Sequence, residues 1–149
     1  MGGMSGYEIV DISRKLRDAL EPICNPVHPE DERIRGVHHA LWCDAPTNDN
    51  ADGRGAVFYG DKAIDRSPGG TGTSARLAQL HGKGRLKVGD RFRQESLIGT
   101  IFEGCIESEV QIGRFKGIKP SVAGWARIIG HNTIFVDDRD PLAYGFQLK

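Results

Sequence analysis

The stretch Asp65-Arg66-Ser67-Pro68-Gly69-Gly70-Thr71-Gly72-Thr73-Ser74-Ala75 decides how this chain is organised. A short apolar run, 56–59, precedes it, and a helix-like segment, 75–80, follows it. An apolar run, a glycine-rich turn and a helix start, in that order, leave several backbone N–H groups unpaired at the front of a helix. Because the helix dipole is also positive there, the stretch predicts a binding site for an anion.

The same stretch also has to be compared with two known phosphate-binding motifs and with a plain helix cap. No Lys-Ser or Lys-Thr pair follows the glycines, so this is not a Walker A phosphate loop. Residues 70–72 begin a dinucleotide-binding G-x-G pattern, but Ala75 replaces the third glycine, and the acidic partner would have to be Asp90 or Glu95. The simple alternative is a glycine-rich turn that only caps the helix. The hydroxyls available as caps belong to Thr71, Thr73 and Ser74.

The composition excludes several classes of partner. Lys and Arg together number 20 and Asp and Glu also number 20, so the chain has no electrostatic footprint for nucleic acid or an anionic membrane. It contains no apolar run of membrane-spanning length. Residues 1–5 lack the basic and apolar regions of a signal peptide, so we expect a cytoplasmic protein. Its length of 149 residues suits one domain.

The cysteines and histidines do not predict a metal site. Cys24, Cys43 and Cys105 are odd in number and form no C-x-x-C pair, which argues against zinc and against a disulfide framework. We expect free thiols that are mostly buried. His38 and His39 are neighbours on a predicted strand and would point to opposite faces, so they would not readily share one ion.

The remaining pattern is that of a mixed α and β domain. Apolar residues at helical spacing predict a helix over 7–20. Two predicted strands, 34–43 and 55–60, flank the turn-rich segment 44–53 and predict a hairpin with a long loop. Glycines at 82 and 84 end the helix that follows the motif. Five further strands are predicted at 91–95, 97–105, 107–115, 122–129 and 133–136.

Three segments resemble one known family. Residues 65–78, DRSPGGTGTSARLA, resemble the second active-site motif of the proline racemase family, which includes proline racemase, 4-hydroxyproline 2-epimerase and trans-3-hydroxyproline dehydratase. Residues 28–37 resemble the family's HPED…IRGV segment, and 124–141 resemble the closing segment of bacterial 4-hydroxyproline epimerases. The chain, 1–149 as a single domain, is thus similar to the C-terminal half of a two-domain member.

The resemblance implies an α/β (α+β) fold of the diaminopimelate epimerase-like type. In that fold each domain is a curled, mostly antiparallel sheet around a central helix, and the active site lies between the two domains. The tail, 131–149, would then be able to return towards the other domain. A homodimer across the face that would meet that domain is a further expectation, because exposed apolar patches drive association.

The resemblance also assigns roles within the motif. The family uses neither pyridoxal phosphate nor a metal, so no cofactor is expected; one cysteine from each domain faces the substrate α-carbon. Gly70 and Thr71 match the positions whose amides hold the carboxylate of proline or hydroxyproline. Asp65 matches the acid that binds the ring amine, although it can also be a turn residue or a partner for Arg66. Gly69 stands where the family has its catalytic cysteine, and glycine can neither take nor give a proton.

Three functional interpretations follow from these expectations. The first is the C-terminal half of a 4-hydroxyproline 2-epimerase or proline racemase-type isomerase, inactive alone because it lacks both cysteines of the acid–base pair. The second is a half that joins a separately made N-terminal half, where one thiol can still support dehydration of the trans-3-hydroxyproline dehydratase type. The third is a non-catalytic module that binds a small carboxylate.

Overall fold

The computed structural model describes residue 1 and residues 3–145, and these form two helices and eight strands. The helices are α1 (Gly6–Leu20) and α2 (Gly70–Gly82). The strands are β1 (Val27–His28), β2 (Asp31–Arg35), β3 (Ala40–Asp44), β4 (Gly53–Tyr59), β5 (Ala63–Ile64), β6 (Arg91–Glu95), β7 (Ile101–Ile112) and β8 (Phe115–Ala123). Strands β1 and β2 form a separate two-stranded sheet.

The main sheet has six strands, in the order β3-β4-β6-β7-β8, with β5 also paired to β4. Every pairing is antiparallel except that of β4 with β6, which is parallel. Parallel neighbours need a long crossover connection, and α2 lies on the connection between these two strands. The glycine-rich stretch is therefore the entrance to the one crossover helix of the described sheet, and it follows β5 closely in the chain.

The core lies between α2 and the sheet. Leu77 and Leu80 of the helix pack with Phe92 and Ile106 of the strands, and all four are buried. At Gly104, a Cβ atom would lie 2.6 Å from Cδ1 of Leu77, so glycine allows the helix to approach the sheet this closely. This packing fixes the position of α2 and hence of its N-terminal turn.

Helix α1 confirms the predicted helix over 7–20. It begins with a capping box, in which the amide of Glu8 donates to Oγ of Ser5 and the amide of Ser5 donates to the Glu8 carboxylate. Its buried face carries Ile9 and Ser13, and the indole nitrogen of Trp42 donates to Oγ of Ser13 at 2.7 Å. The helix thus packs on the main sheet, as its apolar spacing predicts.

The predicted strand at 34–43 is wrong as a single element. The chain ends β2 at Arg35 and begins β3 at Ala40, because Gly36 adopts φ +85° and turns the backbone. The amide of Gly36 donates to the carbonyl of Pro26, which holds the short β1–β2 sheet together. The predicted hairpin with a long loop is confirmed, but it is formed by β3 and β4.

The strands after α2 also differ from the prediction. Segments 97–105 and 107–115 contribute to one long strand, β7, whose pairing is irregular between Ile106 and Ser108. That bulge explains why the sequence pattern appears interrupted there. Strand β8 ends at Ala123, and the segment 124–145 forms neither helix nor strand, so the strands predicted at 122–129 and 133–136 are wrong beyond that point.

The cysteines are free, as predicted, but the expectation of buried thiols is wrong. Cys24 and Cys43 are exposed and Cys105 is partly exposed. Cys43 lies at an edge strand and Cys24 follows α1, and neither position is covered by the core. In the part of the chain that the structure describes, neither helix has the length and apolar character needed to cross a bilayer.

Candidate functional site

The loop before α2 is held by a short chain of hydrogen bonds. The amide of Asp65 donates to the carbonyl of Val57 at 2.9 Å, which ties the loop to β4. Oδ1 of Asp65 accepts from both the amide and the hydroxyl of Ser67, each at 2.9 Å. The amide of Gly69 then donates to Oγ of Ser67 at 3.1 Å. One carboxylate oxygen of Asp65 therefore orders the loop, and the other, Oδ2, is left to face the site.

The first turn of α2 presents open amides. The carbonyl of Gly69, the residue before the helix, accepts from the amide of Thr73 at 2.9 Å, and no side chain caps the helix start. Within the described residues, the amides of Gly70, Thr71 and Gly72 donate to no protein acceptor. These are the groups that the sequence predicts for an anion site.

The predicted hydroxyl caps are not formed. Oγ of Ser74 donates to the carbonyl of Gly70 at 2.9 Å, within the helix. The hydroxyl of Thr73 is buried and finds no partner among the described residues. No side-chain cap therefore supports the simple interpretation of the stretch as a glycine-rich turn that only caps the helix.

The four residues predicted for the site surround one cavity of about 340 Å³. Asp65, Gly69, Gly70 and Thr71 all line it, and so do residues of β3 and β4. The strand residues are Ala40, Leu41, Val57 and Tyr59. The cavity thus has a polar end at the helix start and an apolar wall on the sheet.

Gly69 adopts a backbone conformation that other residues rarely adopt. Its φ is +75° and its ψ is 123°. A Cβ atom at this position would lie 3.0 Å from Cγ2 of Val57 and 3.6 Å from Oδ2 of Asp65. The position therefore faces the Asp65 carboxylate, is closely approached by Val57, and carries no group that can transfer a proton.

No cysteine of this chain lines the cavity. Burial raises the pKa of the Cys105 thiol, and the nearby Glu107 carboxylate shifts that pKa in the same direction. A thiol with a raised pKa is a poor base near neutral pH. The structure therefore places no activated thiol next to Gly69.

Two lining residues were missed by the sequence analysis. His39, directly before β3, and Tyr59, at the end of β4, both line the cavity and are exposed. The ring of His38 instead hydrogen-bonds with the carbonyl of Arg35 at 2.7 Å. The signal for His39 was the His38-His39 pair, whose neighbouring positions point to opposite faces of an extended chain. Among the described residues, no three His, Cys, Asp or Glu side chains are grouped to hold a metal.

A larger cavity of about 520 Å³ lies beside the same loop. Arg66 and Ser67 line it together with Phe102, Trp125 and Arg127. None of the four predicted site residues borders this cavity. Its size exceeds that of the site cavity, but the open amides and the free carboxylate oxygen identify the smaller one as the candidate site.

Comparisons with known proteins agree with the fold and with the resemblance. The family model described as Proline racemase matches residues 1–147. The 4-hydroxyproline 2-epimerase 2 of Rhizobium rhizogenes is 70% identical over 149 residues, which are 100% of this chain and 45% of that protein. A probable 4-hydroxyproline 2-epimerase of Rhizobium meliloti is 56% identical over 149 residues, again 100% of this chain and 45% of that protein.

Two solved structures share the fold. A hydroxyproline epimerase from Agrobacterium vitis, with bound trans-4-OH-L-proline, matches with a TM-score of 0.82 at 30% identity, over 98% of this chain and 43% of that one. A probable proline racemase from Agrobacterium radiobacter, with bound carbonate, matches with a TM-score of 0.81 at 34% identity, over 95% of this chain and 41% of that one. The predicted diaminopimelate epimerase-like fold is confirmed by these neighbours.

The chain spans less than half the length of these relatives, and it corresponds to their C-terminal half. The match to the family model covers nearly the whole chain, including the site cavity. The chain belongs to the proline racemase family.

Proposed function

We propose that this chain forms the C-terminal half-site of a 4-hydroxyproline 2-epimerase-type enzyme and that it binds a small amino acid by its carboxylate. The observation that carries this proposal is the set of open amides at Gly70, Thr71 and Gly72, which face a cavity beside the free oxygen of Asp65. The bound trans-4-OH-L-proline of the Agrobacterium vitis relative supports the choice of ligand.

The charges of the half-site suit an amino acid zwitterion. The amides and the positive end of the α2 dipole favour the ligand's carboxylate. Oδ2 of Asp65 is the carboxylate oxygen that Ser67 does not use, and it is placed to accept from the ligand's ring ammonium group. A ligand with only one of the two charges would satisfy only one end of the site, so we expect it to bind more weakly.

The exposed side chains of His39 and Tyr59 lie at the rim of this cavity. Both can donate or accept hydrogen bonds. We assign them the recognition of the ring substituent, since the loop and α2 already provide for the carboxylate and the amine. A hydroxylated ring would then bind more tightly than proline itself.

The half-site does not supply a proton-transfer group at position 69. Inversion at an α-carbon requires removal of a proton from one face and its return to the other. Gly69 contributes no titratable atom, and none of the three cysteines lines the cavity. We therefore propose that the chain alone binds the amino acid without epimerising it, and that the chemistry depends on a complementary half.

The experiment is a calorimetric titration with trans-4-hydroxy-L-proline against a matched pair of variants. Gly70→Pro removes one open N–H at the first helical position, where proline is tolerated. Gly70→Ala keeps the N–H, and its Cβ meets nothing within 4 Å. We expect Gly70→Pro to weaken binding by about tenfold or more, since a charge-assisted hydrogen bond contributes about 1.5–3 kcal/mol. Equal affinity of the two variants, or no binding by the unmodified chain, would refute the proposal.

A further inference from the structure

The first turn of α2 rests on strand β4 through one methyl group. Gly69 and Gly72 are three residues apart and lie on the same face of the turn. A Cβ atom at Gly72 would lie 2.6 Å from Cγ2 of Val57, and one at Gly69 would lie 3.0 Å from the same methyl. At Gly70, a Cβ atom would meet none of the described residues within 4 Å. The turn therefore approaches the sheet at its two ends, and Val57 is its neighbour at both.

Val57 is the side chain that strand β4 offers at this place. Alternate residues of a strand point to the same face, so positions 53, 55 and 57 share the face that carries α2. Gly53 and Gly55 have no side chain, and Phe92 and Gln94 of the neighbouring strand β6 fill the space over them. The row thus begins with two glycines, and Val57 follows them directly beneath the start of the helix.

The backbone of Val57 is fixed, and it also supports the other polar end of the site. Its carbonyl accepts from the amide of Asp65 at 2.9 Å, which holds the loop that carries the carboxylate. Val57 pairs with Leu41 of β3, and its neighbours Ala56 and Phe58 are buried on the opposite face of the sheet. One residue of β4 therefore contacts both the turn with the open amides and the loop with the acid.

We propose that Val57 is a positioning residue, which sets the height of the open amides over the sheet and their separation from the Asp65 carboxylate. This inference rests on the proposed function, because it concerns the same amides and the same acid. Hydrogen bonds weaken steeply when the donor loses its alignment, so the height of the turn bears on the affinity for a carboxylate. The proposal also accounts for Gly72, because a side chain there would need the space that the Val57 methyl fills.

A calorimetric titration with trans-4-hydroxy-L-proline tests the positioning role on a pair of compensating variants. Val57→Ala removes the methyl under the turn, and Gly72→Ala forces a new methyl against Val57. We expect each single variant to weaken binding by about fivefold or more, because the amides lose their alignment. Gly72 lies inside α2 and its φ is not positive, so alanine suits its backbone and keeps the N–H.

The double variant Val57→Ala/Gly72→Ala moves one methyl from the strand to the helix and so refills the same space. We expect its affinity to return to within about threefold of that of the unmodified chain, which two independent losses would not produce. The control is Ile106→Val, which removes a methyl from the buried cluster around Leu77 and Leu80, about two turns or more beyond the helix start. It should lower the melting temperature and leave the affinity unchanged.

Hydrogen exchange in the ligand-free chain gives a second arm of the test. The amide of Thr73 donates to the carbonyl of Gly69 at 2.9 Å, so its exchange rate reports the closure of the first turn. We expect Val57→Ala to speed exchange at Thr73 by about tenfold relative to the amide of Leu80, because the turn opens locally without its support. Ile106→Val should not change this ratio.

The two arms separate this inference from the proposed function. If the unmodified chain does not bind the amino acid, the proposed function fails, and exchange at Thr73 alone then decides the positioning role. If the unmodified chain binds and Val57→Ala binds equally well, the positioning role is overturned and the proposed function stands. Additive losses in the double variant, or an unchanged exchange ratio at Thr73 in Val57→Ala, would also overturn it.

Discussion

At the scale of single residues, Gly69 determines what the site can do. Its φ of +75° and the nearby methyl of Val57 both disfavour a side chain at this position. The resemblance places Gly69 where the family has its catalytic cysteine. We propose that glycine at this position leaves the site without a proton-transfer group, while it permits a backbone conformation that a side chain would strain.

The cost of a side chain at position 69 can be measured. We expect Gly69→Ala to lower the free energy of unfolding by about 1–3 kcal/mol, since a strained backbone adds to the contact with Val57. Gly60→Ala is the matched control, because Gly60 also has positive φ, +59°, but open space around its Cβ position. Urea denaturation should show a larger loss for Gly69→Ala than for Gly60→Ala.

The contribution of Val57 is isolated by the double variant Gly69→Ala/Val57→Ala. If the methyl at 3.0 Å causes part of the loss, the double variant should be more stable than the sum of the single effects predicts. Val57 does not restrict position 69 if the losses in free energy of unfolding are additive in the double variant. The same conclusion follows if Gly60→Ala and Gly69→Ala lose equal free energy of unfolding.

At the scale of elements, Glu95 holds the β3–β4 loop on the sheet. It is 2% exposed, and its carboxylate accepts from the amide and hydroxyl of Thr47 and from the amide of Asn48. Burial raises the pKa of Glu95, but these hydrogen bonds outweigh burial and leave the pKa below its ordinary value. The long hairpin loop that the sequence predicts is thus fixed by one buried anion.

The sign of the pH effect follows from the lowered pKa of Glu95. Above the pKa of Glu95 in the unfolded chain, about 4.5, the carboxylate contributes its full share to the free energy of unfolding. That contribution is lost as the pH falls through the lower pKa of Glu95 in the folded chain. Glu95→Gln should lower the free energy of unfolding at neutral pH by about 1–3 kcal/mol and flatten its decline in acid. Thermal melts between neutral pH and strong acid check this, and an unchanged acid slope would contradict it.

The elements also show what the sequence can predict. Helix α1, the β3–β4 hairpin and the uncapped start of α2 follow from apolar spacing and glycine placement. The break at Gly36 and the bulge after Ile106 do not, because each depends on contacts with distant segments. The amide of Gly36 donates to Pro26, for example, and no local pattern encodes that pairing.

At the scale of the whole molecule, the candidate site joins the loop before α2 to the edge strand β3 and its neighbour β4. The motif predicts Asp65, Gly70 and Thr71 as site residues, and the fold brings them to one cavity with His39 and Tyr59. His39 and Tyr59 could not be found from the motif because they belong to segments that meet it only in the folded chain.

Complementation tests whether the missing chemistry lies in another half. We expect neither this chain nor its Gly69→Cys variant to exchange the α-proton of 4-hydroxyproline with deuterated solvent when isolated. Co-expression with the N-terminal half of the Rhizobium rhizogenes relative should give epimerisation with Gly69→Cys and not with glycine at this position. Exchange by the isolated chain, observed by proton NMR, would contradict this account.

The most direct measurement is a titration of the isotopically labelled chain with trans-4-hydroxy-L-proline, followed through its backbone amide NMR signals. We expect saturable shifts at millimolar ligand that are largest for Gly70, Thr71 and Gly72 and are reduced in Asp65→Asn. Shifts centred on another surface, or none at these three amides, would contradict the claim that the start of α2 receives the carboxylate.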